Sequence, residues 1–208
     1  MGCTVETSKP KRRRKGLSTP RPYCELSDTA KSRARDCWRE EGWTWDEHDS
    51  EALTEFFQQE LECAYNIDDA KVEWDLGYSQ RDHVTFKAAP SIERMAERSE
   101  ELAQLLKAAE VLTAASGGDD VEWESAIDEH RAYVTYRTMP QDGEMARLLD
   151  HLADAMETAV CRVWRDACQH LKKLGYQEID YKQSDEYLDG LLTANDHYMF
   201  TEEGEFDS

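Results

Sequence analysis

The chain has 208 residues, of which 39% are hydrophobic, and 45 acidic side chains against 25 Lys or Arg give it a formal net charge of −20. That much apolar material is enough for a packed core, whereas a mean hydropathy of −0.82 and the lack of any run of about 20 apolar residues exclude a membrane-spanning helix. No apolar segment follows the basic stretch after Met1, so no secretory signal is read and an intracellular protein is expected.

The charge is not evenly spread. The first 22 residues hold seven basic side chains and one acid, Glu6, and the remaining 186 hold 18 basic and 44 acidic, so an arm of +6 precedes a body of −26. The arm carries Pro10, Gly16, Pro20 and Pro22 and no hydrophobic period, which predicts a disordered segment over 1–22 followed by a single acidic domain over 23–208. Within it Lys11, Arg12, Arg13, Arg14 and Lys15 form a candidate polyanion-binding run, for nucleic acid above all.

Ser27 is a candidate N-cap, and Ala30, Ala34, Cys37 and Trp38 at helical spacing predict a helix over 28–41 that Gly42 ends. A capping box at Thr44-Trp45-Asp46-Glu47 opens a second helix, whose stripe Leu53, Phe56, Phe57, Leu61 and Ala64 stops near Asn66. The period then changes to two: Val72, Trp74, Leu76 and Tyr78 alternate with polar residues, the turn Ser79 to Asp82 follows, and Val84, Phe86 and Ala88 resume the alternation. Pro90 closes this hairpin and Ser91 caps one helix running to Ala115, before Gly117-Gly118.

The next segment echoes the plan. Val121-Glu122-Trp123 matches Val72-Glu73-Trp74, Val134-Thr135-Tyr136 matches Val84-Thr85-Phe86, and a long helix over 142–174 follows Pro140, with Gly175 as its stop. Ile179 to Tyr181 reads as extended, Ser184 caps a helix that Asn195 ends, and Tyr198 to Thr201 reads as a last strand. Helices and hairpins without regular β-α-β alternation predict an α+β fold, an antiparallel sheet of two hairpins packed on amphipathic helices. Trp74, Trp123 and Trp164 are expected on buried faces.

The run from Cys24 to Trp38, with Glu25-Leu26-Ser27-Asp28-Thr29-Ala30-Lys31-Ser32-Arg33-Ala34-Arg35, resembles the opening of a phage- and prophage-borne family often labelled antitoxin of a toxin–antitoxin stability system. The family's hairpin "SQGDGxxF" is matched by Ser79-Gln80-Arg81-Asp82-His83-Val84-Thr85-Phe86, with Arg81 and His83 where the family has glycines. Its "SDE" helix and "FTEDG" ending are matched by Ser184-Asp185-Glu186 and Phe200-Thr201-Glu202-Glu203-Gly204, so the likeness covers roughly residues 24 to 206. The resemblance implies a phage origin, hence the host cytoplasm, and a compact α+β domain.

Six cysteines without a close Cys-x-x-Cys pair, and histidines far apart in sequence, give no metal framework, and no glycine-rich phosphate loop is present, so no metal or cofactor is expected. Asp69-x-Lys71 and Asp180-x-Lys182 echo only the end of a nuclease motif. Ser79, Gln80, Arg81, Asp82 and His83 are read as a partner-binding hairpin tip rather than a catalytic relay, because neighbours on one turn rarely attain relay geometry. Acidic clusters at Glu47–Glu62, Asp119–Glu129, Glu144–Glu157 and Glu202–Asp207 point to an interaction surface, either for a protein partner or as a mimic of DNA phosphates toward a nucleic-acid enzyme. The expectation is a non-enzymatic accessory protein that modulates a host or toxin protein. The alternative is a nucleic-acid-binding module that uses the arm.

Overall fold

A computed structural model describes residues 19–40, 47–116, 121–128, 131–137, 143–195 and 197–206. The fold is α+β, with short antiparallel two-stranded sheets and one long helix. The chain divides into two compact units: residues 1–44 with 181–208, and residues 45–180. None of the described helices is long and apolar enough to cross a membrane.

The first unit joins two distant stretches of chain. Strand β1, Arg21–Pro22, pairs antiparallel with β6, Met199–Phe200, and a 3-10 turn over Tyr23–Glu25 leads into α1, Asp28–Glu40. Arg21 and Pro22, read as part of the arm, are therefore in a strand, because pairing with β6 satisfies backbone that burial alone would not fix. The Ser27 cap is made, its Oγ accepting from Ala30 N at 3.3 Å. Helix α6, Asp185–Ala194, starts on Ser184, whose Oγ accepts from Tyr187 N at 3.2 Å. Tyr23, Leu26, Ala30, Ala34, Leu192 and Phe200 form the core, with Trp38, Tyr198 and Phe206 packed against it. Gly204, at φ +88°, closes the final turn, and a Cβ there would lie 2.1 Å from the Ala30 carbonyl oxygen, so only glycine fits.

Arg35 ties this unit together. Its Nη1 pairs with Asp189 Oδ1 at 2.7 Å and donates to the Tyr23 hydroxyl at 3.2 Å, Tyr23 donates to the same Asp189 oxygen, and Arg35 Nη2 meets Asp185 at 3.2 Å. The charges lie against α1 and α6, so one guanidinium holds both helices.

The second unit begins with α2, Glu47–Tyr65, whose Leu53, Phe57 and Leu61 are buried. The hairpin of β2, Lys71–Asp75, and β3, His83–Lys87, keeps the expected alternation, with Val84 and Phe86 buried and Lys71, Glu73 and Asp75 exposed. The single helix predicted after Pro90 is two, α3 over Ile92–Ala96 and α4 over Glu100–Ser116. Ser99 causes the break: its carbonyl and hydroxyl accept from Ala103 N and Leu102 N and start a new helix. A second hairpin, β4 over Glu122–Asp128 and β5 over Arg131–Arg137, is a separate two-stranded ladder joined to the first by a single bridge, Ala88 with Ile127.

Helix α5 runs over Gly143–Lys182, past the predicted stop and through the stretch read as extended. Gly175 is buried inside it, and Ile179 is a buried helical residue. Trp123 is buried, Trp74 and Trp164 are half-buried, and Trp74 Nε1 donates to Thr54 Oγ1 at 3.0 Å. The capping box over 44–47 lies outside the described residues except for Glu47, as do Gly42, Gly117-Gly118 and Pro140.

Candidate functional site

The hairpin tip is organised from within by one carboxylate. Asp82 is only 7% exposed. Its Oδ1 accepts from Ser79 N at 2.9 Å and Ser79 Oγ at 2.5 Å, and its Oδ2 from Gly77 N at 3.0 Å and the Tyr176 hydroxyl at 2.7 Å. Its backbone carbonyl takes Lys172 Nζ at 2.6 Å. Four donors on one carboxylate favour the charged form, so the Ser79 hydroxyl first, and then the Gly77 N–H, hold Asp82 well below the usual carboxylate range against the opposing effect of burial.

This geometry decides what the tip can do chemically. Asp82 is an ionised acceptor whose lone pairs are occupied, the opposite of a general base tuned toward neutrality. Ser79 Oγ donates to Asp82 and accepts from Arg81 N at 3.1 Å, while His83 Nδ1 lies 3.1 Å from the Arg81 carbonyl. These contacts direct the serine and the histidine to different neighbours, and a Ser-His-Asp relay is not assembled. Ser79, Gln80, Arg81 and His83 are exposed and Asp82 is not, so the five residues divide into a presented surface and an internal clasp.

Tyr78 belongs to the same site. It sits at φ +58°, unusual for a bulky residue, with its ring stacked on Tyr176 at 5.0 Å between centroids and its hydroxyl donating to Asp180. Lys172, Tyr176 and Asp180 thus brace the loop from α5. Their spacing of four is the available sequence signal, since it aligns them on one helix face. Which loop they face is set by tertiary packing. The other proposed site, Lys11, Arg12, Arg13, Arg14 and Lys15, lies outside the described residues.

The acidic clusters differ once placed on the fold. On the outer face of the second hairpin Glu122, Glu124 and Asp128 meet cations: Arg137 lies 2.6 Å from Glu124, and Arg131 is the register partner of Asp128. Helix α5 intersperses Arg147 among Glu144, Asp150 and Asp154. Helix α2 carries Glu47, Asp49, Glu51, Glu55, Glu60 and Glu62 and no Lys or Arg at all. Glu47, Glu51, Glu55 and Glu62 are exposed. Glu202, Glu203 and Glu205 are exposed in the last turn, with Arg21 3.8 Å from Glu202.

Among the described residues no three His, Cys, Asp or Glu side chains converge as a metal ion would require. His170 is engaged otherwise, with the Tyr65 hydroxyl 3.1 Å from its Nδ1 and Glu60 3.8 Å from its Nε2. Cys168, on α5, is buried enough that desolvation pushes its thiol up to about 12, which leaves it protonated and unreactive at neutral pH.

No protein-family model, curated protein or solved structure matches the chain.

Proposed function

We propose that this chain is a non-enzymatic binding protein whose acidic body engages a basic partner protein, the accessory role of a phage-encoded antitoxin or anti-defence factor. The observation that carries the reading is α2, a helix with six carboxylates and no Lys or Arg, four of the six exposed. Net negative charge on a rigid element raises the rate of encounter with a cationic surface and orients it, at a strength that falls with salt. The clasp around Asp82 supports the same reading, because it spends the polar groups of the hairpin tip on holding a shape. The exposed Gln80, Arg81 and His83 are then a second contact region for that partner.

The test is affinity capture from host lysate at low and high salt with tagged full-length protein and a form lacking residues 1–18. That deletion keeps Arg21 and Pro22 in their pairing with β6. Recovery of a basic protein by both forms, released by salt, is the expected result. Nucleic acid captured by the full-length form alone would transfer the function to the arm, and capture of nothing at low salt would end the acidic-surface reading.

A further inference from the structure

The outer face of α2 is more than charged. Phe56 is 42% exposed, one of six large hydrophobic side chains so placed among the described residues. At 3.6 residues per turn Ala52, Phe56, Gln59 and Cys63 form one row along the helix, and all four are exposed. Glu51, Glu55 and Glu62 run along one side of that row and Asp49 and Glu60 along the other, while the buried Leu53, Phe57 and Leu61 occupy the opposite face. An exposed phenylalanine beside a row of exposed carboxylates is a pattern that solubility alone does not require.

The charge limits what can cover it. A second copy laid face to face would oppose six carboxylates with six, on bodies of −26 each, and like-charge juxtaposition disfavours that seam. The chain's own run Lys9 to Lys15 supplies cations, but with only Pro10 inside it and Leu17 after it has no apolar stripe at helical spacing to meet Phe56. Nucleic acid is repelled. What complements both features is a helical segment of another protein with apolar residues on one stripe and Lys or Arg flanking it.

We propose that this face of α2 is the docking stripe for an amphipathic basic segment of the partner, with its apolar anchor on Phe56 and its cations on the exposed Glu51/Glu55/Glu62 row. The inference rests on the acidic-surface reading above and gives it an address. Apolar contact supplies the part of the affinity that survives salt, and the carboxylates supply orientation and the salt-sensitive part.

The test uses the full chain, a labelled amphipathic helical peptide of Lys and Leu as probe, and an oligolysine of equal charge as the charge-only control. Phe56→Ser is expected to weaken the Lys/Leu peptide about tenfold, the effect of losing one aromatic anchor, and to leave oligolysine binding unchanged. The triple variant Glu51→Gln, Glu55→Gln, Glu62→Gln is expected to weaken both probes at low salt and to flatten the salt dependence. All four sites are exposed, so circular dichroism should not change. Wild-type affinity for the Lys/Leu peptide in Phe56→Ser, or equal affinity of wild-type protein for the two probes, would overturn the docking stripe and leave the acidic-surface reading standing. Failure of wild-type protein to bind either probe at low salt would remove both.

Discussion

Gly175 lies so close to Leu76 that a Cβ on the glycine would stand 2.3 Å from Leu76 Cδ1, with Phe57 Cζ at 3.1 Å. The residue that reads as a helix stop is instead where α5 lets the first hairpin and α2 approach its backbone. Gly190, inside α6, has no atom within 4 Å of the corresponding position.

The two glycines should therefore respond oppositely to alanine. Gly175→Ala forces Leu76 and Phe57 aside and is expected to cost about 1–3 kcal/mol, the usual range for overpacking, partly offset by better helix propensity. Gly190→Ala meets no clash and should stabilise by roughly 0.5–1 kcal/mol. Urea unfolding of both variants checks this, and stabilisation by Gly175→Ala would refute the close approach.

The Asp82 clasp makes a pH prediction. Its carboxyl is held low in the folded state, so its contribution is fully present above the unfolded value of about 4 and is lost as pH falls from there toward the folded value. Asp82→Asn should lower Tm at neutral pH, and the gap from wild type should narrow below about pH 4. A gap independent of pH would mean that the asparagine removes packing rather than charge-assisted hydrogen bonds.

Tyrosine ionisation reports on the first unit. Burial, reinforced by the hydrogen bond to Asp189, pushes Tyr23 up to about 12. The folded value lies above the unfolded one of about 10, so stability is intact below that pH and is lost as pH rises through about 12. In an absorbance titration Tyr23→Phe should remove one late-ionising group among the nine tyrosines. Tyr78, raised to about 12 chiefly by its hydrogen bond to Asp180, should remain.

Thiol labelling of the native protein should separate the cysteines by environment. Cys24 and Cys63 are exposed and should react first, whereas Cys168 should react only on unfolding. Prompt modification of Cys168 at neutral pH would contradict the burial that holds its thiol protonated.

Much of this architecture was legible from local signals. The alternation in 71–75 and 83–87 reflects a ladder with one buried face, and Ser27, Ser91 and Ser184 announce helix starts because their hydroxyls satisfy N–H groups that no helix can satisfy itself. The misread positions depend on partners far away in sequence. Gly175 is a breaker in isolation and a contact surface when Leu76 arrives. Other contacts have no local signal at all: nothing near Asp82 in sequence announces that Tyr176 and Lys172 close on it, and Tyr78 gives no local hint of a left-handed backbone. Strand β1, two residues long, is too short to carry a period, whereas β6 falls within the strand read over Tyr198 to Thr201.

The β1–β6 pairing also orders events along the chain. The first unit is assembled from two flanks with the whole second unit between them, so its core cannot close until Leu192 and Phe200 have been synthesised. The second unit is contiguous, so all of its own contacts are available once Asp180 has been made, before those of the first unit. Strand β1, the earliest described element of the chain, pairs with β6, the latest, and so waits longest for its partner.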